Sequence, residues 1–232
     1  MKISVLTACN PNDSRTAQRQ VYDMLRWALM SGQFCPGEGI SIRKLAAACN
    51  TSMTPVREAL RRLESEGGLV EGANRVLSVP ICDLTALREL YTVRLALEGL
   101  ATEQASALIT GPELDEVEHA CQAMGEATES FDTPKYLENN WRFHAAIYAA
   151  ARSQLMVEMI EGLWLRAGPM IRLVPGPEHF EHSMRAHWDA LHALKASDGP
   201  VAREAIERDL NDAAQDLTRI LNEGFAQLRE SA

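Results

Sequence analysis

The 232 residues suffice for one or two domains, each with its own core. The net charge of −9 is unevenly spread: residues 1–82 hold ten Lys and Arg against seven Asp and Glu, the remainder thirteen against twenty-five, so a basic head precedes an acidic body, as suits a protein that presents one end to a polyanion. No apolar run approaches the roughly 20 residues of a membrane span, and five cysteines without a C-x-x-C pair indicate neither a disulfide framework nor a zinc ribbon; a reducing, cytoplasmic setting without membrane contact is expected.

The first residues, polar and rich in Asn, Ser, Thr and Gln, read as a flexible tail over 1–18. Leu6-Thr7-Ala8-Cys9 resembles a lipoprotein cleavage site, but the segment before it is too short for an apolar h-region. Val21, Leu25, Ala28 and Leu29 then mark a support helix, which Gly32 ends before a Pro36-Gly37 turn. Ile42, Leu45, Ala46 and Cys49 repeat at three and four residues, and Asn50, Thr51 and Ser52 break that pattern. Ser52 or Thr54 can cap a following helix that starts near Met53 and has Pro55 in its first turn. Val56, Ala59, Leu60 and Leu63 form its inner stripe, while Arg57, Arg61 and Arg62 lie off it. Such a helix, entered through a capped polar turn, suits a DNA major groove; taken alone it suits an ordinary helical hairpin with solvated arginines equally well. Gly67-Gly68 stops the helix, and Leu69-Val70 and residues 76–79 are β-rich runs around Gly72-Ala73-Asn74. Three helices followed by a small β-hairpin predict a winged helix-turn-helix over 19–82.

From Asp83 the composition shifts to Ala, Leu and Glu with no further strand signal. Leu84, Leu87, Tyr91, Arg94, Glu98, Ala101 and Ala105 share one stripe of a long helix, which Gly111-Pro112 is expected to break. Helical patterns follow over 113–128, from Lys135 with Leu137, Trp141, His144 and Tyr148, over 155–173, over 178–194 and over 201–228. Their separators are a turn at 131–134 capped by Thr133, a loop at 175–177, and residues 197–200. The expected fold is mainly α, with an all-α bundle of six to seven helices over 83–232.

The stretch YDMLRWALMSGQFCPGEGISIRKLAAACNTSMTPVREALRRLESEGGLVEGANRVLSVP, and within it T-P-V-R-E-A-L-x-x-L-E-x-E-G, resembles the DNA-binding domain of the GntR family of bacterial transcription regulators. Further on, R-x-x-x-E at Arg94 and Glu98, W-R-F-H ending at His144, and H-x-x-A-L starting at His187 resemble, in order, the FCD ligand-binding domain of the FadR-like branch of that family. The resemblance implies a homodimeric, sequence-specific regulator, more often a repressor, that binds a double-stranded DNA operator and answers to a small organic acid effector. It implies DNA contacts at Arg43, Ser52, Met53, Thr54 and Arg57, with Arg75 on the wing. Met53 stands where many relatives carry Arg, and Val76 where the wing carries Gly.

Many members of that branch hold a divalent metal ion through one Asp and three His. The corresponding residues here are Asn140, His144, His187 and Asp209, so two of the four donors differ. Such a set favours zinc or nickel less, and manganese or magnesium relatively more. A metal-free pocket is equally physical: Asp209 then pairs with His144 or His187, and Asn140 bonds the effector. The bland reading makes both histidines satisfied core residues. His182 and His192, each five residues from His187, lie about 140° around the helix from it and do not replace the lost donor. Arg94 either holds an effector carboxylate with its fork of donors or pairs with Glu98 one turn on. His119, His179 and His182 read as surface residues. The rival class is a metal-dependent hydrolase around His144, His187 and Asp209, for which no nucleophile or acid–base pair is evident; a second rival is an interaction adaptor that has lost DNA binding.

Overall fold

The computed structural model describes residues 16–72, 76–174 and 177–230, with backbone alone for 177–179 and 224–230. Helix α1 (Ala17–Met30) starts two residues before the expected head boundary, where the Thr16 side chain accepts from the Arg19 N–H at 3.2 Å. It buries Val21, Tyr22, Leu25, Ala28 and Leu29. Helix α2 (Ile42–Ala48) is capped by Ser41, which accepts from Lys44 N–H at 3.3 Å. Helix α3 (Met53–Ser65) buries Val56, Ala59, Leu60 and Leu63, the expected stripe. Its capping differs from expectation: Ser52 occupies the N-cap position but its side chain makes no bond to the helix, and Thr54 lies within the first turn. Gly67, at φ 77°, takes the left-handed conformation that ends α3.

Strands β1 (Val70–Glu71) and β2 (Leu77–Ser78) pair antiparallel, Val70 opposite Ser78 and Glu71 opposite Leu77. On its other side β2 is stitched to the segment before α2, since Ile40 N–H donates to Leu77 O at 2.8 Å and Val79 N–H to Glu38 O at 3.0 Å. The wing is thus anchored from both sides. Its tip, with Arg75, lies outside the described residues.

Six helices follow: α4 (Leu84–Ser106), α5 (Gly111–Glu129), α6 (Thr133–Ala150), α7 (Gln154–Ile171), α8 (Pro177–Lys195) and α9 (Gly199–Glu230). Two expected punctuation marks turn out to be helix starts. Gly111-Pro112 opens α5 instead of separating it from α4: Pro needs no N–H partner in a first turn, and Glu113 accepts from the Thr110 N–H and hydroxyl at 2.9 and 2.8 Å. Asp132, not Thr133, caps α6, accepting from Lys135 N–H at 3.1 Å. Helix α9 packs on α4 and α8, and α5 on α6.

Helix α7 also joins bundle to head. A Cβ on Gly168 would run into Leu29 O and lie 2.6 Å from Met30 O, so the backbones of α1 and α7 meet with no side chain between them. Beside this contact Arg26 pairs with Glu161 at 2.7 Å, and Arg172 donates to Gly32 O at 3.1 Å.

Candidate functional site

Two regions hold the residues singled out above. On the head, Arg43, Ser52, Met53, Thr54 and Arg57 are all exposed. Arg57 and Arg43 make no ion pair among the described residues, whereas Arg62 is engaged: it bonds Glu66 at 3.0 Å and sits 3.8 Å over the Tyr22 ring. The three arginines of α3 therefore differ in role, Arg62 bracing the helix and Arg57 pointing at open solvent.

The second region lies inside the bundle. His144 on α6, His187 on α8 and Asp209 on α9 are buried. His144 Nε2 is 3.2 Å from His187 Nε2 and 3.4 Å from Asp209 Oδ2, and His187 Nε2 is 3.7 Å from the same oxygen. Arg94, Tyr136, Asn140, Trp164, Ser183 and Asp209 are among the walls of the adjoining cavity, whose volume of about 10 Å³ leaves room for about one water. Arg94 and Asn140 are thus brought to the triad. Exposed His119, His182 and His192 stand apart from it, and the side chain of His179 lies outside the described residues.

Arg94 makes the internal pair: Nε and Nη2 donate to Glu98 at 2.6 and 3.3 Å, and Nη1 has no hydrogen-bond partner among the described residues. Glu98 is fully buried and accepts two further bonds, from Tyr148 OH at 2.5 Å and Trp164 Nε1 at 3.1 Å. Burial, then the nearby Glu98 carboxylate, pushes the Tyr148 hydroxyl well above its ordinary pKa, so it keeps its proton. That single proton is given to Glu98, so at its 2.9 Å contact with His144 Nδ1 the tyrosine oxygen accepts. A neutral His144 accordingly carries its proton on Nδ1 and turns a lone pair on Nε2 towards the triad. Ser183 repeats the arrangement on α8: its hydroxyl donates to Asp209 Oδ1 at 2.6 Å and lies 3.4 Å from His187 Nδ1.

Two imidazole nitrogens and a carboxylate oxygen thus converge with their acceptor sides inward, an arrangement that asks for a cation between them. Burial alone would raise the Asp209 carboxyl, but the charge of a protonated His187, then a hydrogen bond from a protonated His144, and the Ser183 hydroxyl outweigh it and hold it well below the usual carboxylate range; a bound cation would take the place of those protons. The point in their plane equidistant from the three atoms lies about 2.0 Å from each, the bond length of a small divalent ion to nitrogen or oxygen. The residues fit such an ion.

Tyr148 and Ser183 were not expected at the site, nor was Glu98 as its organiser. A simple signal pointed to the first two: each sits one helical turn from a candidate histidine, Tyr148 four residues after His144 and Ser183 four before His187.

Comparison with known proteins settles the family. Residues 89–212 match the FCD domain, and residues 17–75 match the bacterial regulatory proteins of the gntR family. The HTH-type transcriptional regulator McbR of Escherichia coli (strain K12) is 32% identical over 191 residues, covering 81% of this chain and 86% of that protein. The HTH-type transcriptional repressor RspR of the same strain is 24% identical over 225 residues, covering 95% and 96%. The solved structure of E. coli McbR/YncC shares the fold with a TM-score of 0.80 at 28% identity, covering 91% of this chain and 99% of that one. These relatives are transcription regulators, which leaves the hydrolase alternative without support. A winged helix-turn-helix followed by a helical bundle with this likeness identifies the chain as a DNA-binding transcription regulator of the GntR family, with an FCD domain.

Proposed function

We propose that the protein is a cytoplasmic, homodimeric repressor whose hold on its operator is set by what occupies the site at Asn140, His144, His187 and Asp209. The observation that carries this reading is the convergence of the three acceptor atoms inside a bundle whose α7 is packed backbone to backbone on the DNA-binding head. The division into a tail over 1–18, a DNA-binding head over 19–82 and an effector and dimerisation domain over 83–232 belongs to the same proposal.

On the DNA side, Arg57 and Arg43 meet phosphates and base edges, Ser52 and Thr54 meet phosphates, and Met53, nearly half exposed at the start of α3, packs on a thymine methyl; Arg75 belongs to the wing. Two heads bring two recognition helices to a near-palindromic site. Exposed apolar residues support pairing through the bundle: Val93 and Leu100 lie seven residues apart on one stripe of α4, Leu155 and Met159 one turn apart on α7.

In the bundle, His144, His187 and Asp209 would hold one divalent ion, with Asn140 adding an amide oxygen. Because one histidine is replaced by a carboxylate and one carboxylate by an amide, manganese or magnesium gains on zinc or nickel. A bound ion supplies a positive centre for an anionic oxygen of an organic acid effector. Arg94 Nη1, the one guanidinium nitrogen not given to Glu98, would donate to that acid. For release of DNA the effector must bind the DNA-free arrangement more tightly than the DNA-bound one; equal affinity shifts nothing.

The test is operator binding across a salt series. Arg57→Ala should weaken binding and lower the salt slope by about one. Equally tight, equally salt-dependent binding by the variant would overturn the assignment of α3 as the reading helix.

A further inference from the structure

We infer that helix α7 carries the state of the buried site to the DNA-binding head, with Glu98 as the node at which the two are joined. The inference rests on the reading of that site as the controlling one, and adds how control leaves it. One oxygen, Glu98 Oε2, accepts both from Tyr148, which holds His144 Nδ1, and from Trp164 on α7. Trp164 is packed around the site as well as bonded to it: its ring centroid is 5.2 Å from that of His144 and 4.9 Å from that of Trp141, and the Arg94 guanidinium lies 4.6 Å over it.

The stripe of α7 beside Trp164 is the one that holds the head. Glu161, Gly168 and Arg172 lie seven and four residues apart on it and meet, respectively, Arg26, the last turn of α1, and Gly32 O. Arg26 reaches onward to the recognition helix, since its Nε is 4.0 Å from Glu66, the residue that ends α3 and also accepts from Tyr22 OH at 2.7 Å and from Arg62. At Gly168 backbone rests on backbone, so no flexible side chain can absorb a movement of α7; α1 must follow.

An organic ligand can enter the cavity only if its walls move, and α7 supplies part of them. At about 10 Å³ it admits an ion or one water, and anything larger enters only by pushing its walls apart. Trp164 and Ile171 are the walls that α7 contributes. Entry of the effector and displacement of α7 are then one event. A helix with two packed neighbours, one at the site and one at the head, is the element whose position both sites bias.

The test uses the full chain and amide hydrogen exchange read by mass spectrometry. Trp164→Phe removes the bond to Glu98 and keeps a ring; Val117→Ala opens a cavity on α5, which packs on α6 and α8, and leaves the buried site's residues in place. Trp164→Phe should speed exchange in residues 28–34 and 62–68 of the head by about threefold or more, the lower range of energies that packed networks transmit. Val117→Ala should speed exchange in α5 and leave those head amides close to the wild type. Two results overturn the inference: head amides unmoved by Trp164→Phe while amides near Glu98 and Tyr148 respond, or head amides moved equally by both variants, which marks general loosening of the bundle. A parallel titration of the wild type with Mn²⁺ alone, followed by calorimetry, keeps the two readings apart: absence of binding counts against the ion at the triad, whereas transmission along α7 is decided by the two variants.

Discussion

Gly168→Ala should separate the two halves of the molecule at a defined point. The added methyl would press on Leu29 O, and lie 2.6 Å from Met30 O and 2.8 Å from the Met30 carbonyl carbon. Comfortable contacts of a methyl carbon begin near 3.5 Å, so α1 must retreat by about 1 Å, and backbone cannot rotate out of the way as a side chain can. Overpacking of this kind costs about 1–3 kcal/mol, against which the loss of glycine's unfolded-state freedom returns about 0.5–1 kcal/mol. A net loss of about 1–2 kcal/mol is expected. Gly125→Ala on α5 is the internal control, because its Cβ would meet nothing nearer than Met184 Cε at 4.0 Å; there the helix-propensity gain of about 0.5–1 kcal/mol should appear unopposed. At about 2–4 °C per kcal/mol for a chain of this size, thermal unfolding followed by circular dichroism should place the two variants on opposite sides of the wild type. An early partial transition in Gly168→Ala would mark release of the head ahead of the bundle. The reasoning is refuted if Gly168→Ala melts as high as Gly125→Ala.

Protein purified without chelator should carry near-stoichiometric divalent metal by mass spectrometry, and a His144→Ala/His187→Ala variant should carry none; equal metal in both would remove the triad as its seat. A different titration checks the start of α5. Bonds from Arg152, then from the Thr110 backbone and hydroxyl, pull the half-buried Glu113 carboxyl down to about 2. The folded value lies below the ordinary one, so what these bonds add is fully present above the usual carboxylate range and disappears as pH falls towards 2. Carboxyl NMR should show a midpoint near 2 for Glu113 that rises towards the ordinary range in Arg152→Ala; an unmoved midpoint would mean the arginine is not its principal partner.

The inner stripe of α3 was legible because Val56, Ala59, Leu60 and Leu63 repeat with the helix period and have one place to go. Helix ends were read less well. Gly111-Pro112 looks like a breaker because both residues disfavour helix interiors, yet both are tolerated in a first turn, and only the Thr110–Glu113 bonds decide between the two. For the buried site, family register led to His144, His187 and Asp209, but no local spacing relates three side chains on three helices. The role of Glu98 was only half visible: its pair with Arg94 is an i,i+4 spacing, whereas Trp164 arrives from 66 residues away. The joint at Gly168 was not visible at all. A missing side chain leaves no periodic trace, and its reason exists only once α1 is laid against it.

The unused side chain of Ser52 has a further consequence. A helix start normally borrows an acceptor from its own N-cap residue, and α2 does so from Ser41. The start of α3 borrows none, so its first-turn N–H groups keep their outward positive field. The acceptor that turn lacks is the kind a DNA phosphate carries. A phosphate bound there would complete the hydrogen bonding of α3, so anion contact and the stability of that helix would be linked at one point.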